Sequence, residues 1–216
     1  MKISEVFFLL IIFTGITFGS GCSESASRRD TFFTYELAEK EKKMLLPGDI
    51  IMRRGYGFVS NTIVKTLKED YSVSHAGIIN KDKHGDLKVI HSVSQTISDF
   101  DGVQDVDLDT FIRDSHPGSI IVVRFKSSNA DTGSLSEISK RAEYYLDQKI
   151  PFDYSFSFED TTRFFCTEFI GRVFADIYGQ ELFDQFFPSH ISGLDRLKFG
   201  AFLDPELFET VINHHP

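Results

Sequence analysis

Residues 75–93 read HAGIINKDKHGDLKVIHSV. Two arms rich in aliphatic and β-branched residues, 75–80 and 86–93, flank the polar loop KDKHG with Gly85 inside it, which is the pattern of a β-hairpin. If the loop at 81–85 closes symmetrically, Asn80 faces Asp86 and His75 falls directly opposite His91. Directly opposed residues of an antiparallel pair hold their Cβ atoms about 4.5–5.5 Å apart on one face, so the two imidazoles can share a hydrogen bond. A slip of one residue would turn the rings to opposite faces.

Working outward, the upstream sequence predicts a helix over about 32–45, broken by Pro47 and Gly48. A short strand follows at 49–52 (DIIM), then a helix at 59–67 (VSNTIVKTL) with Val59, Ile63 and Leu67 on one face. Downstream, SIIVVRF at 119–125 is the clearest strand. Ser134 and Glu137 form a capping-box pattern that opens a helix running to about Gln148, with Pro151 beyond it. FFCTEFIGRVFADIY at 164–178 predicts a last strong helix, closed by Gly179. The Phe-rich tail after 180 reads as irregular. An antiparallel hairpin followed by separate helices indicates an α+β fold.

Cys166 lies in the first turn of that last helix, where the helix dipole and unpaired backbone N–H groups favour the thiolate. The position is expected to lower the thiol pKa. The helix is apolar on nearly every side, so one reading of Cys166 is a small buried hydrophobe. The other is a nucleophile, which needs a base within hydrogen-bond reach and a third group to orient that base; His75 and His91 offer both. A zinc site of His75, His91 and Cys166 uses suitable ligand types, although no short ligand pair accompanies it. His84 and His116 read as ordinary surface or core histidines, and His214 and His215 have no partner visible in the sequence.

The chain has 216 residues, 41% of them hydrophobic, with 23 Phe and no Trp, which is apolar material for one compact domain. The net charge of -9, with acidic groups spread along the chain, argues against nucleic acid as a partner. The N-terminus differs: Lys2 precedes an apolar run at 6–18 (VFFLLIIFTGITF), followed by Gly19, Ser20, Gly21 and Cys22, the layout of a lipoprotein leader with lipidation of Cys22. Gly19 occupies the place that usually carries Leu. Plain secretion and a retained anchor are the alternatives. The expected organisation is a signal peptide at 1–21, a lipid-attached tether and N-terminal helix at 22–44, and a catalytic domain at 45–216. With Cys22 lipidated, Cys166 is left as a lone thiol in an oxidising compartment.

PGDII at 47–51, SHAGI at 74–78, VIHS at 89–92, Tyr145 with PFDYSF at 151–156, and FCTEF at 165–169 occur in an order that resembles the YiiX/YaeF family of circularly permuted papain-like amidases, relatives of NlpC-type cell-wall peptidases and of lecithin retinol acyltransferase. The resemblance spans about residues 45–180. It implies a permuted papain-like fold, with an antiparallel sheet packed against the cysteine helix. It also implies Cys166 as nucleophile, His75 as general base, His91 as the polar third member, and no cofactor or metal. Close relatives often carry Glu at the third position, and many read CSE where this chain has Cys166-Thr167-Glu168. The implied activity is amide hydrolysis through an acyl-enzyme, on cell-wall peptide or another amide, at the bacterial envelope on its periplasmic or surface side, with the membrane held through Cys22. A lipid acyl hydrolase or acyltransferase is the alternative, with Phe183, Phe186, Phe187, Phe199, Phe202 and Phe208 lining a cleft. A non-catalytic binding lipoprotein is a third.

Overall fold

The computed structural model describes residues 35–126, 132–191 and 193–216, and the side chains of all of these except 132–134. The leader, Cys22, most of the tether and the Ser134 side chain lie outside the described residues.

Six strands form one sheet: β1 Ile50–Arg53, β2 His75–Lys81, β3 Leu87–Val93, β4 Gly102–Asp107, β5 Ile121–Phe125 and β6 Phe208–Asn213. Their order is β4-β3-β2-β1-β5-β6, and every neighbouring pair is antiparallel. The helices are α1 Glu39–Lys42, α2 Gly57–Leu67, α3 Leu108–Arg113, α4 Thr132–Asp147, α5 Cys166–Tyr178 and α6 Gln180–Phe186, with 3-10 turns at Gly193–Leu197 and Phe199–Leu203. The α+β class expected from the sequence is the one observed. Among the described residues no helix is long and apolar enough to cross a membrane.

Apart from β6, whose pairing with β5 is broken by a register shift between Val122 and Val123, strand residues alternate between two cores, because successive side chains of a strand point to opposite faces. Ile50, Met52, Ala76, Ile78, Ile90, Ile121 and Val123 face α4, α5 and α6. Ile51, Ile79, Val89, Val122 and Ile212 face α3 and the N-terminal segment, through Leu37, Leu45, Leu108, Phe111 and Ile112. The sheet is therefore a middle layer covered on both sides.

Several elements differ from expectation. Of the helix expected at 32–45, the described part from residue 35 holds one turn, Glu39–Lys42, whose residues EKEK carry no apolar stripe. Leu37 and Leu45 anchor the segment on either side of that turn. β4 (GVQDVD) escaped notice since its two apolar residues, Val103 and Val106, face different cores, and Asp105 and Asp107 are exposed at the sheet edge. The tail is also ordered: α6 packs on α5 where Gly171 leaves room, and a Cβ there would stand 2.3 Å from the Phe187 ring. Phe183, Phe186, Phe187, Phe199, Phe202 and Phe208 are all at most 5% exposed and belong to the first core. They fill the interior and line no cleft.

The PGD segment becomes a clamp. Asp49 is fully buried and accepts hydrogen bonds from the Leu46 N–H (2.8 Å) and from Nε (2.8 Å) and Nη2 (2.9 Å) of Arg124 on β5. Arg124 Nη2 also donates to the Met44 carbonyl at 2.8 Å. The entrance to β1 is thus tied to the neighbouring strand. At the other end of the chain, His214 shares a hydrogen bond with the Tyr35 hydroxyl (2.7 Å) and pairs with Glu41 (2.8 Å), so the first described residue lies beside the end of β6. Removing one partner of a buried ion pair strands the other, so Asp49→Ala is expected to lower stability by about 3–5 kcal/mol, measured as the shift of a urea unfolding midpoint.

Candidate active site

The hairpin closes two residues away from symmetry. β2 and β3 pair Ile78 with Ile90, Ile79 with Val89, Asn80 with Lys88 and Lys81 with Leu87, whereas symmetric closure sets Asn80 against Asp86. The cause is Asp82, whose carboxylate accepts the N–H groups of His84 (2.8 Å) and Asp86 (3.0 Å) and draws the turn onto 82–86. A shift of two preserves the face of every side chain. Continued by one pair, the register sets His91 opposite Gly77 and makes His75 its diagonal neighbour, a separation that ring side chains can span.

The two rings do meet: His75 Nε2 and His91 Nδ1 share a hydrogen bond of 2.7 Å. Gly77 permits the approach. A Cβ there would stand 2.8 Å from the Ile90 carbonyl oxygen and 3.1 Å from His91 Cβ. Both imidazoles rest on the Phe111 ring of α3, with centroids 5.9 and 5.8 Å away, and so occupy the second face of the sheet. Arg53, directly opposite His75 across β1 and β2, lays its guanidinium 4.2 Å over the same ring.

Cys166 is the first residue of α5, a helix packed on the first face. The turn that carries it is held by the immediate chain neighbours of both histidines. Ser92 donates its hydroxyl hydrogen to the Phe164 carbonyl at 2.6 Å, and the Ala76 N–H lies against the thiol. The structure thus brings His75 and His91 into contact and sets Cys166 beside their strands. No hydrogen bond joins the Cys166 thiol to either imidazole among the described residues. Cys22, the remaining site residue expected from the sequence, lies outside them.

Burial governs the protonation states. It pushes the Cys166 thiol up to about 11, against the lowering by the backbone N–H groups of Ala76, Thr167 and Cys166. The expected net depression by the helix N-terminus is therefore overturned, because desolvation outweighs the helix amides. Burial also brings His91 down to about 3, with the Arg53 charge adding to it, and holds His75 well below the usual imidazole range, with His91 and Arg53 adding. At neutral pH the group rests as a neutral thiol beside two neutral imidazoles.

Arg53 and Phe111 are parts of the site that sequence reasoning missed, and neither offered a signal. Gly77 and Ser92 stand inside the motifs SHAGI and VIHS, but their roles in bringing the rings together and in holding the cysteine turn were not legible there. Glu168 is a further buried feature. It is fully buried in the first turn of α5, Arg172 bonds one of its oxygens (3.1 Å), and the other makes no hydrogen bond. Burial raises its pKa from 4.5 to about 8, with Arg172 opposing. A carboxyl whose folded pKa is raised binds its proton more tightly in the folded state, so its contribution to stability is present below the unfolded pKa and is lost as pH climbs to the folded value. Melting temperature measured against pH should therefore fall between about pH 4.5 and 8, and Glu168→Gln should flatten that slope.

The zinc reading finds no support in the side-chain arrangement. No group of three or more His, Cys, Asp or Glu among the described residues is placed to hold a metal ion, and His75 and His91 turn their facing nitrogens on each other.

No family model and no curated protein matches the sequence. A solved structure does: the crystal structure described as metalloprotein yiiX from Escherichia coli O157:H7, at 20% sequence identity and a TM-score of 0.58, covering 80% of this chain and 99% of that one. The resemblance to YiiX read from the motifs is thus met by a likeness of fold over most of both chains.

Proposed function

We propose that this chain is a thiol hydrolase of the circularly permuted papain-like kind, cleaving amide bonds with Cys166 as nucleophile, His75 as general base and His91 as the group that orients it. The observation that carries the reading is the His75–His91 hydrogen bond of 2.7 Å, set on the strands whose next residues, Ala76 and Ser92, grip the turn bearing Cys166. The order of PGD segment, histidine strands and cysteine helix supports the permuted arrangement.

The proposed chemistry starts from neutral partners. With Nε2 of His75 committed to His91, Nδ1 is the nitrogen that takes the thiol proton once the thiol is brought to it; such contacts commonly tighten only when substrate binds. The sulfur attacks the amide carbonyl as the proton passes to His75. The backbone N–H of Cys166, at the start of α5, faces the developing oxyanion. The imidazolium returns its proton to the departing amine, leaving an S-acyl enzyme. Water, deprotonated by the same imidazole, releases the acid and restores the thiol.

Cell-wall peptide is the proposed substrate class, reached from a membrane anchor on Cys22; diacylglycerol on that residue in the intact mass of membrane-extracted protein checks the anchor. The burial of the tail phenylalanines removes the feature that favoured a lipid substrate. The YiiX structure is described as that of a metalloprotein, but among the described residues of this chain no ligand group fits a metal, and no step is routed through one.

Against a panel of peptidoglycan stem peptides and N-acyl amino acids, the protein should accumulate an acyl adduct on Cys166, seen by intact mass. Cys166→Ala and His75→Ala should each lower kcat/KM by about a thousandfold or more, and His91→Ala by less, since it acts through His75. Full activity in Cys166→Ala would sink the reading. Because the His75 pKa is lowered, the imidazole stays an unprotonated base further into acid, so the acid limb of kcat/KM should lie below pH 6.5.

A further inference from the structure

The arginines of this protein differ in what answers their charge. Arg124 is bonded to the carboxylate of Asp49, Arg172 to Glu168 and Arg141 to Asp176. Arg53 has no ion pair among the described residues, although it is half-buried with its guanidinium 4.2 Å over the Phe111 ring. Of its five N–H donors, Nη1 gives one hydrogen bond, to the Phe111 carbonyl at 2.8 Å, while Nε is buried without an acceptor. Burial brings its pKa down to about 10, and Asp114, the charge that opposes this, makes no contact with it. A cation taken out of water without a partner is costly, and an anion placed against it would offset that cost.

The location gives this charge a use. Arg53 and His75 are directly paired on β1 and β2, so their side chains leave the same face about 5 Å apart. Cys166 sits against the N–H of the next residue, Ala76. An anion on Arg53 is therefore one side chain away from the proposed reacting centre. A guanidinium is planar, and its matched ligand is a carboxylate.

We propose that Arg53 is a substrate-recognition residue that binds a carboxylate next to the scissile amide, so that the preferred substrates are peptides or N-acyl amino acids with a free carboxylate at that position. This rests on the reading of Cys166 as the reactive thiol. The competing role for Arg53 is structural, a clamp on Phe111 through its stacking and its hydrogen bond.

Paired alkylating reagents separate these roles. Iodoacetate and iodoacetamide carry the same leaving group, and only the first carries a carboxylate. On the full chain at a single pH, with peptide mapping of Cys166, iodoacetate should label with a saturating rate and at least as fast as iodoacetamide. Arg53→Gln should slow iodoacetate by about tenfold to a hundredfold while leaving iodoacetamide within about threefold. Arg53→Lys should fall between. In the unaltered protein, propionate should protect Cys166 from iodoacetamide, and propionamide should not; this arm holds even where Arg53→Gln fails to fold. An iodoacetate-to-iodoacetamide ratio that is the same in Arg53→Gln overturns the proposal and leaves Arg53 as the clamp. Inorganic phosphate protecting better than propionate overturns the carboxylate assignment. Failure of both reagents to label Cys166 in the unaltered protein instead removes the nucleophile reading, and this proposal with it.

Discussion

Helix α5 has almost no polar side to turn outward, and the rest of the molecule is arranged around that constraint. Phe169, Ile170, Val173 and Phe174 are completely buried, so the helix must lie between the sheet and a second set of helices. α4, α6 and the Phe199–Leu203 turn supply that cover, and the many phenylalanines of the tail are the filling. Once the helix is fixed along its length, so is its start. The first residue then has one available place, against the N-terminal end of β2, where Ala76 and Ser92 meet the incoming turn.

The same burial that gives the cysteine its position works against its ionisation. A helix N-terminus and three backbone N–H groups favour the thiolate, yet exclusion of water dominates and the thiol stays protonated. The histidines are held neutral by the same cause. A site of uncharged groups stores no ion pair, so in the proposed mechanism the proton moves during attack. Arg53 is the permanent charge in these surroundings, and it depresses both imidazoles rather than pairing with either.

Much of this was legible in the sequence. The hairpin arms, the strand at 121–125 and the cysteine helix announced themselves by composition and by their terminators. Parity was the robust part: His75 and His91 share a face in the observed register as in the symmetric one, because the turn moved the pairing by an even number. What stayed hidden depended on partners far along the chain. β4 and β6 are edge strands with only a few apolar residues, divided between the two cores, so neither shows a long alternating run. The Arg53–Phe111 stack joins residues 58 positions apart, with no pattern in either segment to suggest it. The sign of the thiol shift was missed for a related reason, since a local helix rule carries no information about how dry the surroundings are.

The hydrogen bonds of His214 to Tyr35 and of the same imidazole to Glu41 set the segment before β1 against the end of β6. These two segments lie far apart in sequence. Each holds the other in place. Loosening one removes a partner of the other, so the two come away together rather than one at a time.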